Sequence, residues 1–249
     1  MEALATNVVE TWYLPIGDSS EHPWAEYDNL LSREERDRAA RFSRVRDSLH
    51  YIAAHALLRV MLSNFSGVPP TAWRFLSENG ARPEIEPGLS TLPLRFSLSH
   101  TDRLVAAALT LCRTIGLDVE TVDRAVPDIE QVIRYFAAAE KSLLDHCAPE
   151  QRHRAFFQIW TMKEAFVKAT GLGLSLPLDQ FAVTFHPSRL LFAPTEWGPS
   201  DSWRFQLLTP SPVHQMAVVT WAPIGSQLEF RACEVTAHTL MPRTGAGGR

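Results

Sequence analysis

Three cysteines in 249 residues is little. Cys112, Cys147 and Cys233 are odd in number, far apart and in no Cys-x-x-Cys arrangement, which excludes a disulfide framework and a thiolate zinc site and fits a reducing cytoplasm. The chain also lacks a basic excess. Its 24 Lys and Arg against 28 Asp and Glu leave a net charge of -4, so a dedicated nucleic-acid binder is not expected. No stretch approaches the roughly 18 apolar residues of a membrane span. The start, MEALATNVVETWYLP, has no basic residues followed by an apolar run, so a soluble, unprocessed protein is expected. What remains is an ordinary globular composition with 45% hydrophobic residues, in a chain long enough to bury roughly 70 to 75% of its unfolded surface.

Val8 to Leu14 reads as a strand closed by Pro15. Ser32 is an N-cap candidate with Glu34 and Glu35 in the turn after it. An arginine run follows: Arg33, Arg36, Arg38, Arg41, Arg44 and Arg46. Such a run is either a solvated helix face or, because guanidinium forks suit anions, a phosphate cradle. Leu49, Ile52, Ala53, Ala56, Leu57 and Val60 keep helical spacing, predicting a buried helix over Asp47 to Phe65 that Gly67 and the Pro69-Pro70 pair stop. From Trp73 short strands take over, WRFLSE, LRFSLSH and LVAAALTL, with a Gly-Ala-Arg-Pro turn at Gly80 to Pro83. After Leu178, FAVTF, WRFQLLT, QMAVVTW and LEFRACEV read the same way, and MPRTGAGGR at the end is expected to be disordered. Strand, helices, then antiparallel strands occur twice. The expected fold is therefore α+β, with two similar halves, 1–114 and 115–240, meeting in a cleft that holds the site, and a tail at 241–249.

Two stretches carry chemistry. In FFQIWTMKEAFVKATGLGLSLPL, Phe156 to Leu178, the residues Phe156, Ile159, Phe166 and Ala169 suit a buried helix stripe. Trp160, Glu164 and Lys168 climb another face in steps of about 6 Å, and Lys163 adds a second cation beside Glu164. A Glu and Lys four residues apart are also a common surface pair. The second stretch is IGLDVE, where alternation puts Asp118 and Glu120 on one strand face and Leu117 and Val119 on the other. If Glu164 joined these acids, each pair would repel by roughly 4 kcal/mol at about 4 Å, and a cation would have to sit among them. Oxygen-only ligands select Mg²⁺, which completes its shell with water and substrate phosphate.

Gly116-Leu117-Asp118-Val119-Glu120 followed by Trp160-Thr161-Met162-Lys163-Glu164-Ala165-Phe166-Val167-Lys168 resembles the signature of the Sfp-type 4′-phosphopantetheinyl transferases. The Gly-x-Gly-Leu-Ser-Leu-Pro-Leu continuation at Gly171 to Leu178 and the Phe-x-Leu-Ser-His segment at Phe96 to His100 extend the likeness over roughly residues 30 to 220. The resemblance implies transfer of phosphopantetheine from coenzyme A to a serine of an apo acyl or peptidyl carrier protein, releasing 3′,5′-ADP. It implies Mg²⁺ on Asp118, Glu120 and Glu164, and catalysis by Glu164 or a nearby water as base with Lys168 against the diphosphate. Coenzyme A contacts are implied for Ser99, His100, Lys163 and Lys168, with Arg82, Arg38 and Arg41 near the 3′-phosphate. Phe136 would lie where the carrier docks, and one chain would supply the whole site. The turn is one residue longer than the family's Gly-Lys-Pro form, and His50 stands where the family often has Arg. Two other classes share parts of this pattern: a coenzyme A or carrier-binding module without turnover, which the complete acidic set argues against, and a metal-dependent nuclease, which the absence of a basic surface argues against.

Overall fold

The computed structural model describes residues 4–17, 23–76, 83–123, 129–173 and 176–240. The first half opens with strand β1 (Val8–Pro15) and helices α1 (Trp24–Leu30), α2 (Arg33–Ala39) and α3 (Val45–Ser66). Strands β2 (Phe75–Leu76), β3 (Glu84–Ile85), β4 (Leu94–Thr101) and β5 (Leu104–Leu111) follow. The second half holds β6 (Ile115–Thr121), α4 (Ile129–Ile133), α5 (Ala138–Asp145), α6 (Pro149–Thr170), β7 (Ala182–Phe185), β8 (Ser188–Phe192), β9 (Trp203–Ser211), β10 (His214–Trp221) and β11 (Glu229–Glu234). The α+β expectation holds. Each half lays a 22-residue helix on a sheet, α3 on a mixed one and α6 on an antiparallel one, and each helix ends on a glycine in the left-handed conformation, Gly67 (φ 76°) or Gly171 (φ 77°).

Period-two alternation assigns the sheet faces. Val105, Ala107, Leu109 and Leu111 of β5 turn toward α3, whereas Leu104, Ala106 and Ala108 turn the other way. There they meet Ile115, Leu117 and Val119 of β6 and Met216 and Val218 of β10, so the two sheets share a third core between the helix-covered ones. The sheet orders are β11-β1-β5-β4 and β6-β10-β9.

Ser32 caps α2 as its sequence predicts, in a full capping box with Glu35. Glu35 also accepts from His55 and Arg59. Burial opposes its charge, but these partners and the Ser32 N–H hold its carboxyl down at about 2. Three expectations are corrected. The boundary at 115–240 does not hold at its far end, because β11 crosses back to pair in parallel with β1, and Val235 and Leu240 join the first half's core. The strand expected at WRFLSE begins at Phe75, not at Trp73, which is fully buried with its indole N–H donating to Ser63, and Ser77 and Glu78 lie outside the described residues. Lastly, α6 begins at Pro149, seven residues before the apolar stripe. The 241–249 tail and most of the Gly-Ala-Arg-Pro turn lie outside the described residues.

The close approach of α6 to β6 decides one residue. A Cβ on Gly116 would stand 1.9 Å from the Ala165 carbonyl oxygen, a backbone atom that cannot move without the helix. Gly116→Ala should therefore cost about 3 kcal/mol of unfolding free energy, at the upper end of overpacking penalties, and displace the helix bearing Glu164 and Lys168. Urea denaturation would check this; a midpoint equal to the parent's would refute the close-approach argument.

Candidate active site

With Leu117 and Val119 committed to the core between the sheets, Asp118 and Glu120 face α6. Gly116 lets that helix come near enough for its side chains to reach them. Lys168 Nζ lies 2.7 Å from Asp118 Oδ1, and the Trp160 indole N–H donates to Glu120 Oε1 at 3.1 Å. Glu164 lies between these two contacts on the same helix face. Burial first, then the Asp118 and Glu120 charges, raise its carboxyl to about 7, although Lys168 opposes them. Of the expected set, Asp118 and Lys168 are in direct contact, while Glu120 is held by Trp160 and Glu164 feels both acids through their charge.

β4 supplies the remaining wall. Ser99 donates to Asp118 Oδ1 at 3.1 Å and accepts from Lys168 Nζ at 2.9 Å and from the Val119 N–H at 3.3 Å. One proton and two lone pairs are all a hydroxyl has, so Ser99 in this arrangement has nothing left for coenzyme A. Its neighbour His100 turns to the opposite face and lines a cleft of about 780 Å³ with Arg38, Arg74, Tyr51 and Phe96. Burial, and then His50 and Lys168, push the His100 imidazole below its ordinary value. Arg38 and Arg41 both line an adjoining recess. Arg82 lies outside the described residues.

Two expected site residues are elsewhere. Lys163 is wholly buried and gives its three protons to Glu140 Oε1, Glu140 Oε2 and the Phe181 carbonyl, each at 2.8 Å. A cofactor cannot reach it. Consecutive helical residues point about 100° apart, so the cation next to Glu164 in sequence faces the core and not the cleft. Phe136 is also fully buried, stacked on Phe156 and Trp160. The exposed aromatic of that segment is Tyr135, at 70%. Glu140 went unnoticed in the sequence because only the fold brings it to Lys163. Ser97 and Thr101 had a signal, hydroxyls at every second position of a strand, but it lacked a partner until β6 was in place.

The acid set fits a hard divalent cation in donor type, and Asp118 Oδ2 is buried with no hydrogen-bond partner. Among the described residues, however, no group of three or more His, Cys, Asp or Glu is gathered as a metal would need. Here the Lys168 ammonium neutralises Asp118.

Sequence comparison places this geometry. Residues 114–219 match the model of the 4′-phosphopantetheinyl transferase superfamily, and residues 18–111 match that of the 4′-phosphopantetheinyl transferase N-terminal region. The 4′-phosphopantetheinyl transferase HetI of Nostoc is 30% identical over 228 residues, covering 91% of this chain and 93% of that protein. The chain belongs to the 4′-phosphopantetheinyl transferase superfamily. The Bacillus subtilis 4′-phosphopantetheinyl transferase Sfp is 31% identical over 158 residues, 64% of this chain and 68% of its own. A 4′-phosphopantetheinyl transferase of Bacillus pumilus is 28% identical over 208 residues, 82% of this chain and 85% of its own. Both motifs that carry the site, Gly116 to Glu120 and Trp160 to Lys168, fall inside the superfamily match.

The titration of Glu164 has a measurable sign. Folded, it keeps its proton to about pH 7; unfolded, it releases it near its ordinary 4.5. Between those values the native state binds more protons, so stability falls as pH rises through the window and stays lower above it. In buffer free of divalent cations, Glu164→Gln should lack that decline and melt above the parent at pH 8. Parallel melting curves across the window would show that Glu164 is not strained by its neighbours.

Proposed function

We propose that Asp118, Glu120, Glu164 and Lys168 form the reaction centre of a phosphopantetheine transfer and that the cleft lined by Arg38 and His100 receives coenzyme A. As a member of its family the protein transfers the 4′-phosphopantetheine of coenzyme A to a serine of an apo carrier protein. The observation that carries the placement is the Asp118–Lys168–Ser99 contact, which joins both halves on one face of β4, one residue from His100, whose side chain lines the cation-bearing cleft on the other face. The relatives support neither a non-catalytic binding module nor a nuclease.

Lys168 has two of its three protons on Asp118 and Ser99, and its side chain is 33% exposed, so it can also meet an anionic diphosphate. Charge on the bridging and leaving oxygens grows in the transition state, which makes a fixed ammonium stabilise that state more than the bound substrate. Glu164, or a water held beside it, takes the proton of the carrier serine. Mg²⁺ would be held by Asp118, Glu120 and Glu164, where it supplies charge neutralisation at the diphosphate. Asp118 Oδ2, buried and unpaired, is the oxygen most in need of it. His100 and Arg38 bind phosphate groups remote from the breaking bond. The free thiols and the absence, among the described residues, of a helix able to cross a membrane support a cytoplasmic enzyme, and both halves of the site on one chain support a monomer.

Incubated with coenzyme A, Mg²⁺ and an apo acyl carrier protein, the protein should add the mass of one phosphopantetheine to the carrier, with none added in excess chelator and recovery on returning Mg²⁺. An unmodified carrier, by mass spectrometry, would overturn the catalytic reading, and undiminished transfer in chelator would overturn the metal. Lys168→Ala should lower the single-turnover rate at saturating coenzyme A by about 10² to 10³. Arg38→Ala should instead weaken coenzyme A binding and leave that rate near the parent's. Calorimetry beside single-turnover transfer reads both. Weakened binding at an unchanged rate in Lys168→Ala would make the lysine an anchor only.

A further inference from the structure

Strand β4 presents three hydroxyls on one face, Ser97, Ser99 and Thr101. Each accepts an N–H from the edge of β6: Leu117 at 2.9 Å, Val119 at 3.3 Å and Thr121 at 3.1 Å. For satisfying that edge the three are equivalent. Ser99 differs in what else it touches. Its proton goes to Asp118 Oδ1 at 3.1 Å and its second lone pair to Lys168 Nζ at 2.9 Å, while the same Asp118 oxygen lies 2.7 Å from Lys168. Groups from β4, β6 and α6 thus close a triangle. The hydroxyl at its third corner is itself fixed by a backbone N–H.

We propose that Ser99 is a positioning residue of the transfer: its hydroxyl, anchored to the β6 backbone, sets the Asp118 carboxylate and the Lys168 ammonium in their working geometry. This rests on the reading that Asp118 and Lys168 form the reaction centre. The need for such a device follows from the side chains. A lysine ammonium rides on four rotatable bonds, and the terminal torsion of an aspartate is broad, so their mutual attraction alone leaves the pair free to move as a unit. A third contact from a separate strand removes that freedom. Coenzyme A affinity, which Arg38 and His100 supply on the opposite face of β4, does not depend on it.

The ladder provides its own controls. Ser97→Ala and Thr101→Val each strip a hydroxyl from a β6 N–H without touching Asp118 or Lys168, whereas Ser99→Ala strips both kinds of contact. All three should lower the melting temperature, Ser97→Ala least, because Thr101 also meets the Thr121 hydroxyl at 3.0 Å and Ser99 also meets Asp118 and Lys168. Only Ser99→Ala should lower kcat, by about 10-fold to 100-fold, the penalty of misplacing a reacting group by a fraction of an ångström to 1 Å, with the coenzyme A dissociation constant unchanged. Ser99→Thr, which keeps the hydroxyl, should restore kcat. Ser99→Cys, close in size but a weak hydrogen-bonding group, should keep more of the melting temperature than Ser99→Ala and remain slow. The inference is overturned if Ser97→Ala or Thr101→Val slows turnover as much as Ser99→Ala, if Ser99→Thr is as slow as Ser99→Ala, or if Ser99→Ala acts on coenzyme A affinity alone. Failure of the underlying reading looks different: Lys168→Ala would then transfer at the parental rate, whatever the Ser99 variants do.

Discussion

The architecture turns on a junction between two sheets that share no backbone ladder. An unpaired strand edge is a liability, with a row of donors that must find partners or face water. Strand β6 is paired with β10 on one side only, and the N–H groups of Leu117, Val119 and Thr121 on its other side end on side-chain hydroxyls of β4. A backbone ladder would have merged the two sheets into one. Hydroxyls satisfy the same donors while β6 lies across the face of the first sheet, so Asp118 and Glu120 stand against α6 and beside Ser99. The site sits at a seam because the seam is made of side chains.

Helix α6 has to be both rigid and reactive, and its two lysines divide the work. Lys163 is completely enclosed with Glu140, whose carboxylate also accepts the Ala137 and Val183 N–H groups. Burial works against both partners, lowering the Lys163 ammonium to about 8 and raising Glu140. Removing either would strand the other, a loss of about 3 to 5 kcal/mol in such pairs. The pair ties α5, α6 and β7 together, and that sets the rotation of α6 about its axis. Trp160, Glu164 and Lys168 then have no choice of direction.

How much of this was legible follows from range. Asp118 and Glu120 could be read because strand alternation is local, and the Trp160–Glu164–Lys168 face because helical pitch is local. The same reasoning identified the Ser32 cap and the glycine stop at Gly67. Lys163 departs from expectation because of that same pitch: next to Glu164 in sequence, it stands about 100° around the helix from it and faces Glu140 in the core. Phe136 failed differently, since nothing local distinguishes a buried ring from the exposed Tyr135 beside it. Glu140 and the Ser97 and Thr101 hydroxyls acquire meaning only from segments some 20 residues away, and the return of β11 to β1 joins opposite ends of the chain. Long-range pairing leaves little trace in a single sequence.

The contrast between the two lysines also explains why charge can be useful at the seam. Lys163 has as many acceptors as protons, so another anion would have to break an existing contact to reach it. Lys168 meets Asp118 and Ser99 on one side and remains partly open on the other. Asp118 in turn has one oxygen engaged and one buried without a partner, while Glu164 stays near 7 because burial, and then the charges of Asp118 and Glu120, make its ionisation costly. Every group in the core of the helix is satisfied, and those along its open face are short of countercharge. That imbalance raises the energy of the empty site and is relieved only by added cationic charge among the acids, so the same residues that lower apo stability above pH 7 are the ones prepared to hold a charged reactant.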